Sequence, residues 1–360
     1  MRRINHFIIA FYILISFCYP LRLLNAQSLN NNTENKIIGE AVSITNSVEP
    51  ELFPVIAKLL SEGNEKYKEY SLVKWNLENL SSDSIAITLS ADIPEWVTPA
   101  ITPVILGPGE KKKVLQNPFG NKLLATNHPI VPTTIVLNAK IGDQVIYEET
   151  KNVKIRPADD MIWSMSYPWD MCELIAAWVT PNDEKVESIL TIAKDRLYNH
   201  TLAGYNSHNV MKEIREIFNA VRNYKISYVD SRISFGKIGE TERVRLPKES
   251  ISQKSANCID GAVLFASLFE NIGLEPLIVV TPEHAFVGVR TTPNSNEALY
   301  IETTIVGRSY WESIRDFQNT FDAAVEQGIN NYYRAVQNGP ANFRIIDIKK
   351  ARSEGIYPLW

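Results

Sequence analysis

The chain has 360 residues, with 37 Lys and Arg against 41 Asp and Glu and a formal net charge of −4. That length predicts two cores more often than one. A mildly acidic chain without a lysine or arginine cluster is a poor match for a row of phosphates, which argues against nucleic acid as a partner.

At the N-terminus, Arg2 and Arg3 precede an apolar run from Phe7 to Cys18, and Pro20 and Leu24-Asn25-Ala26 lead into Gln27. This layout predicts a secretory signal over 1–26, cleaved after Ala26, and an exported protein of the periplasm, cell surface or medium. The apolar run is shorter than the ~20 residues of a spanning helix, and no later stretch approaches that length, so no membrane span is expected. Phe17 stands where lipidation of Cys18 would want a small side chain, which favours plain secretion. The leader holds three arginines and no acid, so its loss takes the charge from −4 to about −7. Cleavage leaves Cys172 and Cys258, too few for a disulfide framework, and one bridge between them is the alternative to a free thiol at Cys258.

Residues 27–157 read as β structure. Val73, Trp75 and Leu77 alternate with polar residues, Ser81-Ser82-Asp83-Ser84 makes a turn, and Ile85, Ile87 and Leu89 resume, which predicts an antiparallel pair. Gly107-Pro108-Gly109 and Gly142-Asp143 mark further turns, and Ile135, Leu137, Val145, Tyr147, Val153 and Ile155 supply more strands. The expected architecture is an immunoglobulin-like β-sandwich without a catalytic constellation.

Residues 158–360 form the second expected domain, a helical scaffold over 158–235 followed by a core over 236–360. Thr180 is positioned to cap a helix with Pro181 at its first position, and Val186, Ile189, Leu190, Ala193 and Leu197 share a face. Val210, Ile214, Ile217, Phe218 and Val221 repeat the pattern in a second helix. Such stripes are core positions. Trp163, Trp169 and Trp178 are expected at the seam between the domains. Asn31, Asn79 and Asn199 each open an N-x-[ST] sequon. His200 and His208 lack a neighbour at ligand spacing, so no metal site is expected.

The chemistry lies between Leu246 and Gly307. Ser255-Ala256-Asn257-Cys258 runs into Ile259, Ala262, Val263, Ala266 and Phe269 at helical spacing, and Gly273 closes the helix. Cys258 is therefore expected in the first turn, near open backbone N–H groups; that location and a protonated imidazole can lower a thiol from ~8.5 to about 3.5–7.5. Leu277-Ile278-Val279-Val280 predicts a buried strand, His284 heads the next, Ala285 to Val289, and Leu299 to Thr304 a third. On adjacent antiparallel strands His284 and Glu302 can share a face, with the carboxylate at one imidazole nitrogen and the thiol at the other. Cys258, His284 and Glu302 would then form a nucleophile, base and orienting acid for acyl transfer. Taken singly, each residue has a plainer role: a buried thiol, a core histidine, a strand glutamate. Their order and local contexts together favour the triad. Glu242 and Arg245 upstream are read as structural ion-pairing residues.

Asn257-Cys258-Ile259-Asp260, His284-Ala285-Phe286 and Ile301-Glu302-Thr303-Thr304 resemble, in order, the three motifs of the transglutaminase-like superfamily. Over Leu246 to Gly307 the chain is most similar to bacterial exported members of undefined substrate, with a similar Arg243-Val244-Arg245-Leu246-Pro247 lead-in. It departs from the usual pattern at Glu302, where aspartate is commoner, at Ala256, where glycine is, and at Phe286, where tryptophan is. The resemblance implies an α+β, papain-like second domain and a cysteine enzyme acting on a protein or peptide substrate through an acyl-thioester. Hydrolysis is favoured over cross-linking, and no cofactor is needed. The alternative is a non-catalytic protein- or peptide-binding module with a vestigial triad.

Overall fold

The computed structural model describes residues 36–37, 41–126, 128–231, 234–307 and 320–360; the expected leader and the Asn31 sequon lie outside them. Among the described residues, no helix is long and apolar enough to cross a membrane. The fold is mixed α+β with several separate sheets.

The N-terminal half contains β1 (Lys36–Ile37), β2 (Val42–Val48), β3 (Glu51–Leu52), α1 (Pro54–Ser61), β4 (Val73–Asn79), β5 (Ile85–Asp92), β6 (Ala100–Leu106), β7 (Lys111–Gln116), β8 (Val131–Ile141) and β9 (Gln144–Ile155). They make a four-stranded sheet ordered β1-β2-β4-β7 and a five-stranded sheet ordered β3-β9-β8-β5-β6. Alternation puts one side of each strand inward. Ile44, Trp75 and Leu77 of the first sheet accordingly share a core with Leu89, Leu137 and Ile155 of the second.

Two expectations are corrected here. The runs expected to pair as β4 with β5 lie in different sheets: β4 pairs with β2 and β7, and β5 with β6 and β8. The crossover is held by the buried Asn79 amide, which donates to the carbonyls of Asp83, Leu106 and Gly107 at 2.8, 3.1 and 2.9 Å and accepts from Ser81 N–H and Oγ. That network also closes the Asn79 sequon in the folded state, whereas Asn199 is exposed. The second correction is α1, which interrupts the period of two. Its first-position proline presets the helical φ, and Val55, Ile56 and Leu59 with Phe53 enter the second core instead of the first.

The C-terminal half contains β10 (Asp160–Ile162), α2 (Glu184–Asp195), α3 (Val210–Asn223), β11 (Ser227–Tyr228), β12 (Thr241–Arg243), α4 (Pro247–Gln253), β13 (Ser255–Ala256), α5 (Cys258–Asn271), β14 (Glu275–Val280), β15 (Ala285–Arg290), β16 (Leu299–Ile301), α6 (Phe321–Gln337), β17 (Arg344–Asp347) and α7 (Ile348–Ser353). The faces expected for α2 and α3 are buried, but Asp183 caps α2 in place of Thr180. Trp163, Trp169 and Trp178 are buried in the second core, which Phe53, Val55, Ile56 and Leu59 of the N-terminal half also enter.

An antiparallel sheet ordered β16-β15-β14-β17 carries the site. Both of its faces are covered, which explains why β14 reads as an uninterrupted apolar run. On one face, Ala285, Val287, Val289, Ile278 and Val280 pack with α5 in the large core; on the other, Val279, Phe286 and Tyr300 meet Tyr332 of α6.

Glu242 on β12 was expected to be ion-paired, but among the described residues no cation forms a salt bridge with it. Trp163 Nε1 donates to it at 2.7 Å and Ser234 N–H at 3.2 Å. Burial outweighs these donors and raises its pKa from 4.5 to about 7. A carboxyl raised in the fold contributes stability that is full below its unfolded pKa and lost as pH rises through the folded one. Glu242→Gln should therefore remove a fall in unfolding free energy on the order of 3 kcal/mol between about pH 4.5 and 7, read by chemical denaturation at pH 4.5 and 8.

Candidate active site

Cys258 opens α5. Asn257 caps the helix by accepting from Asp260 N–H at 2.8 Å, and the Asp260 carboxylate accepts from Asn257 N–H at 3.0 Å. This reciprocal box fixes the first turn, which carries the thiol. Asp260 is fully buried, and Arg245 answers it with its N–H at 2.7 Å and its guanidinium at 2.8 Å. Arg245 is thus an ion-pairing residue, as expected, and it offsets a negative charge in the same helical turn as the nucleophile. Burial still holds the Asp260 pKa above the ordinary carboxylate value despite these donors.

Gly261 brings α5 against the acid's own segment. A Cβ there would sit 2.7 Å from Thr303 Oγ1, next to Glu302. Beside the helix mouth runs 227–231, parallel to 254–257: Ser227 N–H donates to Lys254 O at 2.8 Å, Val229 N–H to Ala256 O at 3.0 Å, and Asn257 Nδ2 to Ser231 Oγ at 2.7 Å. Tyr228 in this segment has a raised phenol pKa, through burial first and then its neighbours Cys258, Asp230 and Glu302.

His284 stands just before β15, and Glu302 just after β16, which ends at Ile301 and gives way to a tight helical turn over Thr303–Gly307. The predicted strand was longer, to Thr304. His284 Nε2 lies 2.6 Å from Glu302 Oε2. Cys258 acts on the imidazole as well, so the thiol and the carboxylate both lie within its electrostatic reach. Burial alone would lower the His284 pKa; hydrogen bonding and charge from Cys258 and Glu302 outweigh it and raise the value to about 10.

Glu302 is completely buried. An unpaired carboxylate there would be untenable, and four donors answer it. Thr304 N–H and Oγ1 donate to Oε1 at 2.9 and 2.7 Å, and Asn331 Nδ2 of α6 shares Oε2 with His284 at 2.7 Å. Burial opposes ionisation, but His284 and Thr304 overcome it and leave the Glu302 pKa below the ordinary value. Asn331 and Thr304 are absent from the sequence-derived site. The one available signal was Gly328, an isolated glycine in an otherwise helical stretch, a usual mark of close packing.

A cleft of about 480 Å³ runs between the 281–284 turn and α6, with His284, Phe286, Asn331, Arg334 and Asn338 among its walls. Cys258 itself is only 1% exposed, while the His284 side chain is 30% exposed. Cys172 is a free buried thiol, as is Cys258, so the bridge between them is not formed.

No family model and no curated protein matches the chain. Among solved structures, similarity is found to a β-glucosidase from Erythrobacter marinus, 13% identical over 31% of this chain and 15% of that one, with a TM-score of 0.18. An exo-chitosanase from Amycolatopsis orientalis is 13% identical over 42% and 17%, with a TM-score of 0.18. The chain spans less than a third of the length of these proteins.

Proposed function

We propose that the chain is an exported cysteine enzyme of transglutaminase-like type, acting on amide or peptide bonds of a protein or peptide through an acyl-thioester. The β half is read as an immunoglobulin-like sandwich, and the half from 158 as a papain-like core. The single observation that carries this reading is an imidazole bonded to a buried carboxylate of lowered pKa and within electrostatic reach of a helix-mouth thiol.

In this reading His284 takes the Cys258 proton, the sulfur adds to the carbonyl carbon, and collapse of the adduct breaks the C–N bond as His284 returns the proton to the departing amine. Water, deprotonated by His284, then adds to the thioester and releases the acid and the thiol. Glu302 orients the imidazole and balances its charge without taking the proton. The open N–H of Cys258 at the start of α5 is the first oxyanion donor, a role typically worth about 3 kcal/mol in the transition state.

A non-catalytic binding module draws on one observation, the near-complete burial of Cys258. Alkylation separates the two. Burial raises the Cys172 pKa to about 11, so that thiol should react slowly with iodoacetamide at pH 6. Cys258 should react at least tenfold faster, and His284→Ala should erase the difference; equally slow labelling of both cysteines favours the binding module. The reaction class is tested by mass spectrometry of a peptide library incubated with the native protein and with Cys258→Ala: a thiol-dependent product is expected, and identical spectra would sink the enzyme.

A further inference from the structure

We propose that Asn331 is a positioning residue, pinning the carboxylate oxygen that His284 uses; this rests on the triad reading above. Glutamate reaches the imidazole with one more rotatable bond than aspartate, so a glutamate in this role needs something to stop its carboxylate from swinging. Thr304 holds Oε1, but it lies two residues along the same chain and moves with Glu302. Asn331 comes from a different helix, 29 residues away, and donates to the oxygen that faces the imidazole.

The helix that carries it is itself fixed to the strand that carries Glu302. Gly328, three residues before Asn331, approaches the Tyr300 and Ile301 backbone so closely that a Cβ would stand 2.5 Å from the Tyr300 carbonyl. Tyr332, one residue after it, stacks on Tyr300 with ring centroids 4.1 Å apart. Glu302 N–H completes the attachment by donating to Ala324 O at 2.9 Å. Asn331 thus sits between anchors, and its amide gives the carboxylate a fixed reference outside its own strand.

The test is the His284 titration midpoint, followed by NMR in the full-length protein with labelled histidine and assigned with His284→Asn. Asn331→Leu should lower the midpoint from about 10 by about one pH unit. Asn331→Ser, which loses the reach while disturbing packing less, should do the same, and Asn338→Leu, in the same cleft but away from Glu302, should leave the midpoint in place. The rate of Cys258 alkylation by iodoacetate, an anion drawn to the imidazolium, should lose its alkaline limb at correspondingly lower pH. An unchanged midpoint in both Asn331 variants, or an equal shift in Asn338→Leu, overturns the positioning role. If the Asn331 shift appears but His284→Ala leaves alkylation unaltered, the positioning role stands and the enzyme reading falls.

Discussion

Glu302→Gln should slow alkylation of Cys258 at pH 7 by roughly a hundredfold or more and bring the His284 midpoint from about 10 to below roughly 7. The substitution keeps the size of the side chain but removes its charge. It also forces a clash of donors: an amide oriented to accept from Thr304 turns its NH₂ toward Asn331 and His284, and the flipped amide faces Thr304 N–H instead. Either orientation leaves buried donors unpaired.

The stability profile should change as well. The His284 pKa is raised above its ordinary 6.5, so its contribution is full below about 6.5 and is lost as pH rises through about 10. Glu302 is depressed, so its contribution is present above the ordinary value and is lost as pH falls through the lower folded one. Denaturant unfolding of Glu302→Gln should therefore show a lower plateau at neutral pH and no alkaline decline from His284. A native-like midpoint for the imidazole in this variant would refute the carboxylate's role.

Gly328→Ala is the second large effect. Alanine normally favours a helix over glycine by about 1 kcal/mol. Here its methyl would lie 2.5 Å from the Tyr300 carbonyl carbon and oxygen and 2.6 Å from Ile301 N, against backbone that has no rotamer to change. Overpacking of this kind costs typically 1–3 kcal/mol, and the helix must lift from β16 to relieve it. A net loss of about 1 kcal/mol in unfolding free energy is expected, with Asn331 drawn from Glu302 and the His284 midpoint lowered. Glu326→Ala, exposed on the same helix, should stay within about 0.5 kcal/mol of the native protein. A Gly328→Ala variant as stable as the native chain would mean that α6 tolerates a wider spacing from β16.

The three residues at the centre of the site were readable from the sequence because each announces itself locally. Cys258 follows a capping asparagine at the onset of an apolar helix, and His284 and Glu302 sit at the ends of runs with strand character. Asn331 carries no such mark. It lies on a helix with ordinary chemistry, and only the tertiary approach at Gly328 brings it to the carboxylate. In the β half, alternation disclosed which side of β4 and β5 faces inward, but it is silent on partners, since both sheets look onto one core. Helix α1 escaped because a short run such as Val55 to Leu60, apolar but for Lys58, suits a buried strand equally well.

That small helix has a wider consequence. Phe53, Val55, Ile56 and Leu59 plug the hydrophobic centre of the cysteine-bearing half, Asn64 Nδ2 ties to Glu354 O at 2.9 Å, and Trp360 Nε1 reaches back to Leu124 O at 3.0 Å. The cysteine half is consequently not a transplantable cassette. Cut at 157, it would keep its reactive trio yet present an unfilled greasy socket, so any chimera exchanging the β half must bring along a tenon of the same shape.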